Sequence, residues 1–425
     1  MILMPMKRLR FLLFSLFIHQ VLPAQVPVDS ILEKDVQATI QFLASDSLMG
    51  RANGSAGIIK AANFIGEKFR AAGLQPLPGQ AGYYIPFNLA IRNKKTPAAI
   101  LEWNEKVLDP AQFIYLRQQP GHHPQLSLAD FTIIELDGCI TENILSDYAT
   151  LNGNILLWTS KKQQDSSQFL PSSIKMPAGG IHQDFLIVCA DKKPDSLLLS
   201  AMPGYYQNTG YNVVSLLPGR TKADEVVVFS AHYDHVGTVA GNAKDSIMNG
   251  ANDDASGTTA VLALAEYFAM RGDNERTLLF CAFAGEEFGL VGSKDFVRQI
   301  KPEKIVANIN IEMIGIPQFG KNSIFITGAN ESYLPGLLSN GFKKAGIKVK
   351  TEPAADKMLY MRSDNYAFAQ AGIPAHTIMS SDDDDKCYHR PCDEYGRIEI
   401  SHLTTVIRGI AEAAEEIIKG EVKVK

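Results

Sequence analysis

Residues 226–257 read VVVFSAHYDHVGTVAGNAKDSIMNGANDDASG, and the interpretation of the whole chain starts from this stretch. The apolar run Val226–Phe229 has the composition of a buried strand. Because alternate residues of a strand point to the same side, His232 and Asp234 can share one side while Tyr233 faces the other. An imidazole and a carboxylate would then lie together at the carboxyl end of a strand, where open α/β sheets usually keep their sites.

The sequence from Asn212 onward repeats a pattern of strand, loop and helix. Apolar runs predict strands at Leu278–Ala284, Ile305–Ile311 and Ala375–Met379, and amphipathic stretches predict helices at Ser30–Ala44, Ala255–Met270, Leu334–Ala345, Asp364–Ala371 and His402–Lys419. A further helix is predicted to end near Ala72, just before Gly73. Elements of these lengths in alternation indicate an α/β sandwich with a largely parallel sheet.

Acidic side chains fall where these strands should end or where a helix should begin. They are Asp253, Glu286, Glu287 and Glu312, and His232 and His389 add two nitrogen donors. A partly buried carboxylate is costly unless it meets a cation. Oxygen and nitrogen ligands without thiolates suit zinc in a catalytic site, with manganese or cobalt as alternatives. Five ligands, one of them bridging, suit two metals about 3.5–4 Å apart, as in two-metal hydrolases.

The adjacent pair Glu286 and Glu287 follows a predicted buried strand. Neighbouring residues at a strand end point in different directions, so one can bind metal while the other faces a water molecule. A metal lowers the pKa of its bound water towards about 7. The second carboxylate can then accept the proton and return it to a leaving amine. The alternative is a solvated acidic turn, which the preceding strand and the other acids make less favourable.

Five segments occur in order along the chain: Ser230–Gly237 (SAHYDHVG), Asn249–Gly257 (NGANDDASG), Ala284–Gly289 (AGEEFG), Asn310–Gly315 (NIEMIG) and Tyr388-His389. Together they resemble the co-catalytic zinc aminopeptidase family, which includes secreted bacterial leucine aminopeptidases, glutamate carboxypeptidases and glutaminyl cyclase. The resemblance covers about Gln37–Gly82 and Asn212–Gly420. It implies a three-layer α/β/α sandwich around a mixed eight-stranded sheet, with an inserted segment similar to a protease-associated domain.

Carried over position by position, the resemblance implies two Zn²⁺ per chain, with His232 and Glu312 holding one, Glu287 and His389 holding the other, and Asp253 bridging them. Glu286 would be the general base and acid. Asp234 would accept a hydrogen bond from His232 and fix its tautomer. Asp254 is expected to be a turn or helix-capping residue. His235 is left out of the site, because the alternation of a strand points it away.

The sequence departs from the family pattern at two positions. Glu312 stands where the family usually has Asp, and its longer side chain can shift the position or affinity of the metal. Asn365 stands where relatives often have His, which we take to change the substrate pocket. Arg362 and Ser363 are expected to line the same pocket.

Three features near the last segment allow alternative interpretations. The run Asp382–Asp385 is either a solvated loop or an acidic rim that steers cationic peptides to the site. Tyr360 or Tyr388 could donate a hydrogen bond to the oxyanion of a tetrahedral intermediate, or simply pack. Cys387 and Cys392 flank a short polar loop, where a disulfide forms only if the geometry permits it.

Residues 1–24 have the pattern of a secretory signal peptide. Basic residues precede the apolar stretch Phe11–Ile18, which is too short to span a bilayer, and Leu22–Ala24 supplies a small-residue cleavage site. A membrane anchor is the alternative. No later apolar run is long enough to span a membrane, so we expect an exported mature chain, periplasmic or extracellular, without a membrane span.

A chain of 425 residues is too long to fold around one simple hydrophobic core, so we expect an inserted or second domain. We predict a catalytic domain from residues 25–82 and 205–425, with a β-rich insertion at residues 83–204. The net charge of −5 gives no indication of a nucleic-acid partner. Cys139, Cys189 and Cys281 lie in apolar runs, which indicates buried thiols.

We therefore predict a zinc metallo-exopeptidase that removes N-terminal residues from peptides, using a dizinc-bound hydroxide and Glu286 as base. A glutaminyl-peptide cyclotransferase is the nearest alternative, although such relatives generally use one zinc. A glutamate-carboxypeptidase-like enzyme would need a basic pocket, for which Arg362 alone is thin support. A non-catalytic binding ectodomain would have lost ligands or the base, whereas this chain keeps them all. The preferred substrate residue and the oligomeric state are not predicted.

Overall fold

The computed structural model describes residues 26–92, 99–116, 125–137, 140–141, 143–160, 174–177, 181–201, 205–239, 245–353 and 357–424. The predicted signal peptide and Cys139 lie outside these residues. Within the described ranges, no helix is both long enough and apolar enough to cross a membrane.

The described strands are β1 Tyr84–Arg92, β2 Ala99–Trp103, β3 Lys106–Val107, β4 Phe113–Leu116, β5 Gln125–Ser127, β6 Phe131–Glu135, β7 Asn154–Thr159, β8 Phe185–Cys189, β9 Leu197–Ala201, β10 Tyr205–Leu217, β11 Lys222–His232, β12 Gly237–Thr238, β13 Ile247–Met248, β14 Arg276–Phe283, β15 Ile305–Ile311, β16 Ser323–Ile326, β17 Lys348–Lys350 and β18 Ala375–Met379. The described helices are α1 Glu33–Leu43, α2 Ala56–Ala71, α3 Ser256–Arg271, α4 Val291–Gln299, α5 Leu334–Lys344, α6 Asn365–Gln370, α7 Ile400–Ala413 and α8 Glu415–Ile418.

The largest sheet has eight strands in the order β1-β10-β14-β11-β15-β18-β16-β17. Its centre, β14-β11-β15-β18, is parallel throughout. Strands β10 and β1 pair antiparallel at one side, and β16 pairs antiparallel with β18 at the other. The predicted mixed, largely parallel sheet is confirmed. Strand β1 falls inside the range predicted for the insertion, yet it pairs with β10 in this sheet. The division into domains otherwise stays a prediction.

Helices cover both faces of the sheet, which makes the sandwich three-layered. In β11, Val227 and Phe229 face a core shared with helices α1, α2, α3, α5 and α7. The residue between them, Val228, faces a second core with Phe296 of α4 and Phe368 of α6. Because both faces are buried, the central strands read as continuous apolar runs rather than as alternating ones. These continuous apolar runs are the reason that the central strands could be predicted from the sequence.

The predicted helix ends agree with the observed ones to within a few residues. Helix α2 begins after Ser55, whose hydroxyl accepts a hydrogen bond from the N–H of Ile58 at 3.3 Å. It ends before Gly73, which has the positive φ of 74° that closes many helices. The helix predicted over His402–Lys419 is divided into α7 and α8 at Ala414.

Strands β2–β9 form two smaller sheets, in the orders β3-β2-β9-β5 and β4-β8-β7-β6. The two sheets share one apolar core, to which Trp103 contributes from the first sheet and Trp158 from the second. The segment is therefore a small β-rich body, as the fold class predicted.

Candidate active site

The site lies at the carboxyl ends of the parallel strands, where the sheet presents its loops. Each predicted residue reaches this edge from a different element. Strand β11 ends at His232, Glu286 and Glu287 lie in the turn after β14, and Glu312 directly follows β15. The loop after β18 carries His389, and Asp253 lies three residues before the start of α3. Adjacent parallel strands end side by side, so residues distant in the sequence meet in space.

Two groups of side chains could each hold a metal ion. One consists of His235, Asp253, Glu287 and His389, and the other of His232, Asp253 and Glu312. Within each group the potential ligand atoms all lie within 4.8 Å of one another. The structure thus brings together the five residues that the sequence indicated, adds His235, and gives Asp253 a place in both groups. Their roles as ligands remain predictions.

The facing atoms approach closely without forming hydrogen bonds. Asp253 Oδ1 lies 3.2 Å from His232 Nε2, and Asp253 Oδ2 lies 3.1 Å from His389 Nε2. His389 Nε2 is also 3.2 Å from Glu287 Oε1. Both histidine nitrogens, Asp253 Oδ2 and Glu287 Oε1 are buried without a hydrogen-bond partner. A buried polar atom without a partner costs about 1–3 kcal/mol, which a bound cation would relieve. Nitrogen and oxygen donors without thiolate fit zinc.

The expectation that His235 points away from the site is wrong. Regular alternation ends with β11 at His232, and His235 instead bridges to the connector before α2, donating its N–H to the carbonyl of Arg51 at 3.2 Å. Its ring Nδ1 therefore lies 2.8 Å from Glu287 Oε1. Gly250 makes room for this ring, because a Cβ there would come within 2.6 Å of the imidazole.

We predict that each ligand group binds one zinc ion and that replacing His235 with alanine weakens the zinc of its group about 10–100-fold, the usual cost of losing a group that orients a ligand. The second zinc, in the group of His232, should be retained. Competition with a chromogenic chelator measures both affinities. His182→Ala removes an exposed histidine of the insertion and serves as the control. Equal affinities in both variants would contradict a role for His235.

Asp234 is fully buried behind the site. Its carboxylate accepts hydrogen bonds from Asn53 Nδ2 at 2.6 Å and from the backbone N–H groups of Glu286 and Glu287, both at 3.3 Å. Nδ1 of His232 is closer to the backbone oxygen of Asp234, at 3.2 Å, than to its carboxylate, at 3.7 Å. Asp234 therefore fixes the turn that carries the two glutamates. Its predicted action on the tautomer of His232 stays a prediction, and Asn53 was not foreseen.

The backbone around Asp253 is fixed by two further carboxylates. Asp393, 2 % exposed, accepts hydrogen bonds from the N–H groups of Asp253 and the residue before it. Asp254 Oδ1 accepts from the N–H of Gly257 at 2.8 Å and of Met313 at 3.1 Å, so it caps the start of α3. The sequence indicated the capping role of Asp254 but gave no signal for Asp393.

Arg51 is a buried cation that the sequence analysis did not single out. Its guanidinium donates to the carbonyl oxygens of Leu43 at 2.6 Å, Tyr233 at 2.8 Å, Asn249 at 2.6 Å and Gly250 at 3.0 Å. It therefore joins the end of α1 to the strand end beside His232 and to the turn before Asp253. In the sequence, Arg51 is recognisable only as an arginine within a short polar connector, which does not indicate burial.

Two neighbouring carboxyl groups differ in acidity. Burial raises the pKa of Glu286 well above its usual value, His232 opposes this, and neighbouring carboxylates reinforce it. Burial also acts on Glu287, but His235 and His389 outweigh it and lower the pKa of Glu287 to about 2. One carboxyl group can thus hold a proton while the next stays ionised, which is the arrangement that separates an acid–base group from a ligand.

A cleft opens beside both groups, with Asp253, Glu286 and Glu312 on its wall. Met313, Leu359 and Met379 form an apolar side. Arg362 and Ser363 also line the cleft, as expected. Ser363 donates a hydrogen bond to the carboxylate of Glu312, so it acts on a predicted ligand rather than only on substrate.

Tyr388 is the tyrosine that borders the cleft. Its ring stacks on His389 at 4.0 Å, and burial raises the pKa of its hydroxyl, which therefore stays protonated and able to donate. Tyr360 packs instead against His376. Asn365 is buried and bonds the carbonyl of Tyr360 and the hydroxyl of Thr377, so it supports the sheet end and is not among the residues lining the cleft.

The acidic run Asp382–Asp385 is ion-paired. Lys357 Nζ lies within 2.7–3.0 Å of a carboxylate oxygen of Asp382, Asp383 and Asp384, while Arg362 pairs with Asp383 and Arg397 with Asp385. Asp382 is also fully buried. The interpretation of a simply solvated loop is therefore wrong for Asp382. The paired lysine and arginine side chains also neutralise much of the negative charge that a steering rim would need.

The cysteine bridge is present, with an S–S distance of 2.02 Å between Cys387 and Cys392 and a Cα–Cα distance of 5.3 Å. Cys189 and Cys281 are both buried, as predicted, and Cys281 is a free thiol.

Comparisons with known proteins agree with this geometry. The sequence profile of Peptidase family M28 matches residues 212–414. Aminopeptidase YwaD of Bacillus subtilis is 24% identical over 265 residues, or 60% of this chain and 54% of that protein. The chain therefore spans about half the length of this curated relative.

Solved structures resemble the whole fold. A zinc aminopeptidase from Bacillus subtilis superimposes with a TM-score of 0.57 at 18% identity, covering 92% of this chain and 97% of that one. Glutaminyl cyclase of Porphyromonas gingivalis gives a TM-score of 0.51 at 13% identity, covering 93% and 100%. At such identities the resemblance establishes the fold alone.

Proposed function

Because residues 212–414 match the sequence profile of Peptidase family M28, we propose that the protein is a zinc-dependent aminopeptidase that removes N-terminal residues from peptides. The observation that carries the proposal is the pair of ligand groups that share Asp253 beside Glu286 at the edge of an acidic cleft. The two structural relatives share the fold and differ in the activity that their names state, so the fold alone does not assign an activity to this chain.

We propose two zinc ions per chain, one held by His232, Asp253 and Glu312, the other by Asp253, Glu287 and His389, with His235 beside the second. Bound zinc would supply a Lewis acid for the scissile carbonyl and would lower the pKa of the attacking water. The unpartnered buried atoms of both groups support this occupancy.

Glu286 is proposed to take the proton of the attacking water and to return it to the leaving amine. Its raised pKa lets it hold that proton between the two steps. Asp234 keeps Glu286 in place through the backbone N–H. Tyr388, which borders the cleft, is proposed to donate a hydrogen bond to the developing oxyanion.

The lining of the cleft offers little to bind a substrate's free carboxylate. Its cation among the described residues, Arg362, is already paired with Asp383 at 2.7 Å. An enzyme that removes a C-terminal acidic residue would need an unpaired cation there. This supports an aminopeptidase over an enzyme that removes a C-terminal acidic residue.

The direct test combines metal analysis of the purified protein with a panel of aminoacyl-arylamides, peptides with N-terminal Gln and peptides with C-terminal Glu. We expect about two zinc ions per chain, as in two-metal hydrolases, and release of the arylamine. One zinc ion together with cyclisation of N-terminal Gln would indicate a cyclotransferase instead. Bound zinc without turnover of any substrate would indicate a binding protein.

Zinc binding is expected to release protons. Burial lowers the pKa of His389, but Asp253 and Glu287 outweigh this and raise it to about 10 in the metal-free protein, above its usual 6.5. At pH 7 a proton must therefore leave before zinc binds, so zinc affinity should rise with pH up to about 10. Titration calorimetry in buffers of different ionisation enthalpy measures the released protons. No release at pH 7 would contradict the prediction.

The same pairing stabilises the metal-free fold, because the folded-state pKa of His389 is raised. This contribution is complete below pH 6.5 and is lost as the pH rises through about 10. Bound zinc should remove this dependence, which thermal unfolding with and without chelator would reveal.

We also propose that the chain is exported and that residues 1–24 are removed. The basic residues, short apolar stretch and small-residue site near Ala24 support this. N-terminal sequencing of the protein from culture medium and cell-envelope fractions tests it, with Gln25 expected as the first residue. A retained N-terminus would overturn the proposal.

A further inference from the structure

His389 is held less firmly by its side chain than His232, whose Nδ1 lies 3.2 Å from the backbone oxygen of Asp234. A ligating histidine usually donates its second ring N–H to a partner that fixes the orientation of the ring. Nε2 of His389 faces Asp253 and Glu287, while its other nitrogen, Nδ1, makes no hydrogen bond within the described part of the chain. The side chain is 35% exposed, against 1% for His232. Its position therefore depends on its backbone and on the stacking of Tyr388.

That backbone has an unfavourable conformation. His389 has a φ of 51°, in the left-handed region that residues with a Cβ rarely adopt. The surrounding structure must impose it. The bridge Cys387–Cys392 closes a ring of six residues around His389, in which the N–H of Arg390 donates to the carbonyl of Cys387 at 3.1 Å.

The other end of the same ring reaches Asp253. Cys392 is followed directly by Asp393, whose carboxylate accepts from the N–H of Asp253 at 3.1 Å. The backbone of Asp393 also bonds Arg390 at 3.0 Å and, through its carbonyl, Ala251 at 3.1 Å. The short covalent ring thus connects His389 to Asp393, which its own hydrogen bonds to Asp253 and Ala251 hold in place without the bridge.

We propose that the disulfide Cys387–Cys392 is a positioning element of the metal centre, which keeps His389 at the correct distance from Asp253. The inference rests on the proposed zinc site. The group of His235, Asp253, Glu287 and His389 should depend on the bridge, whereas His232 and Glu312 are held by the ends of β11 and β15. Opening the bridge should therefore weaken one zinc ion and spare the other.

The test compares the native protein with the double variant Cys387→Ser/Cys392→Ser, both loaded with zinc and titrated with a chromogenic chelator. We expect the variant to keep one tightly bound zinc and to bind the second at least about tenfold more weakly, within the range for a lost orienting group. In the cobalt-substituted protein, the visible absorption of one of the two ions should change. Two ions bound with native affinity and native spectra would overturn the inference.

A second measurement covers the case in which the variant fails to fold. A water-soluble trialkylphosphine reduces the native bridge: phosphorus takes oxygen from water to become the phosphine oxide, the S–S bond breaks, and each sulfur gains one proton. Cys392 is exposed to the reagent. Loss of one zinc on reduction supports the inference, and retention of both refutes it. An oxidised native protein without two zinc ions would refute the proposed function itself.

Discussion

Glu286→Gln is expected to lower kcat about 10²–10⁴-fold, the range supplied by a positioned proton-transfer group, while zinc content stays unchanged. Glutamine keeps the shape of the side chain and the hydrogen bond of its backbone to Asp234. It cannot accept a proton from water. Steady-state kinetics with an aminoacyl-arylamide, together with metal analysis of the same sample, separates loss of proton transfer from loss of metal.

Glu352→Gln provides the matched control. Glu352 is a partly buried glutamate that accepts a hydrogen bond from the N–H of Gly328 at 2.8 Å, outside the cleft. Its amide variant should keep the native kcat. Native turnover by Glu286→Gln would contradict the assignment of the base, and a loss of zinc would place Glu286 among the ligands.

Asp253→Asn is expected to weaken both zinc ions, because this carboxylate belongs to both ligand groups. An amide presents one neutral oxygen in place of two charged ones. The loss of affinity should exceed the about 10–100-fold that follows removal of an orienting partner. Chelator competition should therefore show two weakened sites, and hydrolysis should fall in proportion to the metal lost.

The neighbouring Asp254→Asn is the control for this variant. Burial raises the pKa of Asp254 well above its usual value, so a neutral amide resembles the native side chain. Its oxygen can still accept from the N–H groups of Gly257 and Met313. We expect both zinc ions to stay bound. If Asp253→Asn also keeps both zinc ions with native affinity, Asp253 is not a ligand shared by the two groups.

The sequence revealed the groups that lie at the ends of regular strands. Within β11 and β15 the apolar runs mark where each strand stops, so His232 and Glu312 could be placed at one edge of the sheet. The prediction from strand alternation failed three residues further along the chain, at His235. Alternation describes direction only while the strand lasts, and the bridge to the connector before α2 turns the backbone.

Contacts between distant segments could not be predicted from the sequence, for a different reason. Asn53 meets Asp234 across 181 positions, and Lys357 meets the acidic run across 25, and neither pair has a periodic signature. The same applies to β1, whose residues are typical of a strand without indicating which sheet it joins. Residue type and spacing identify the donors, whereas the tertiary fold decides which of them meet.

The four carbonyl hydrogen bonds of Arg51, and the contact of Asn53 with Asp234, imply that the smallest working unit is discontinuous in sequence. A polypeptide beginning at residue 212 would retain every candidate zinc ligand, yet would leave the carbonyls of Tyr233, Asn249 and Gly250 without their shared donor. The amino-terminal helices would have to be supplied as a separate chain. The amino-terminal segment is therefore part of the site's support, although it contributes none of the candidate zinc ligands.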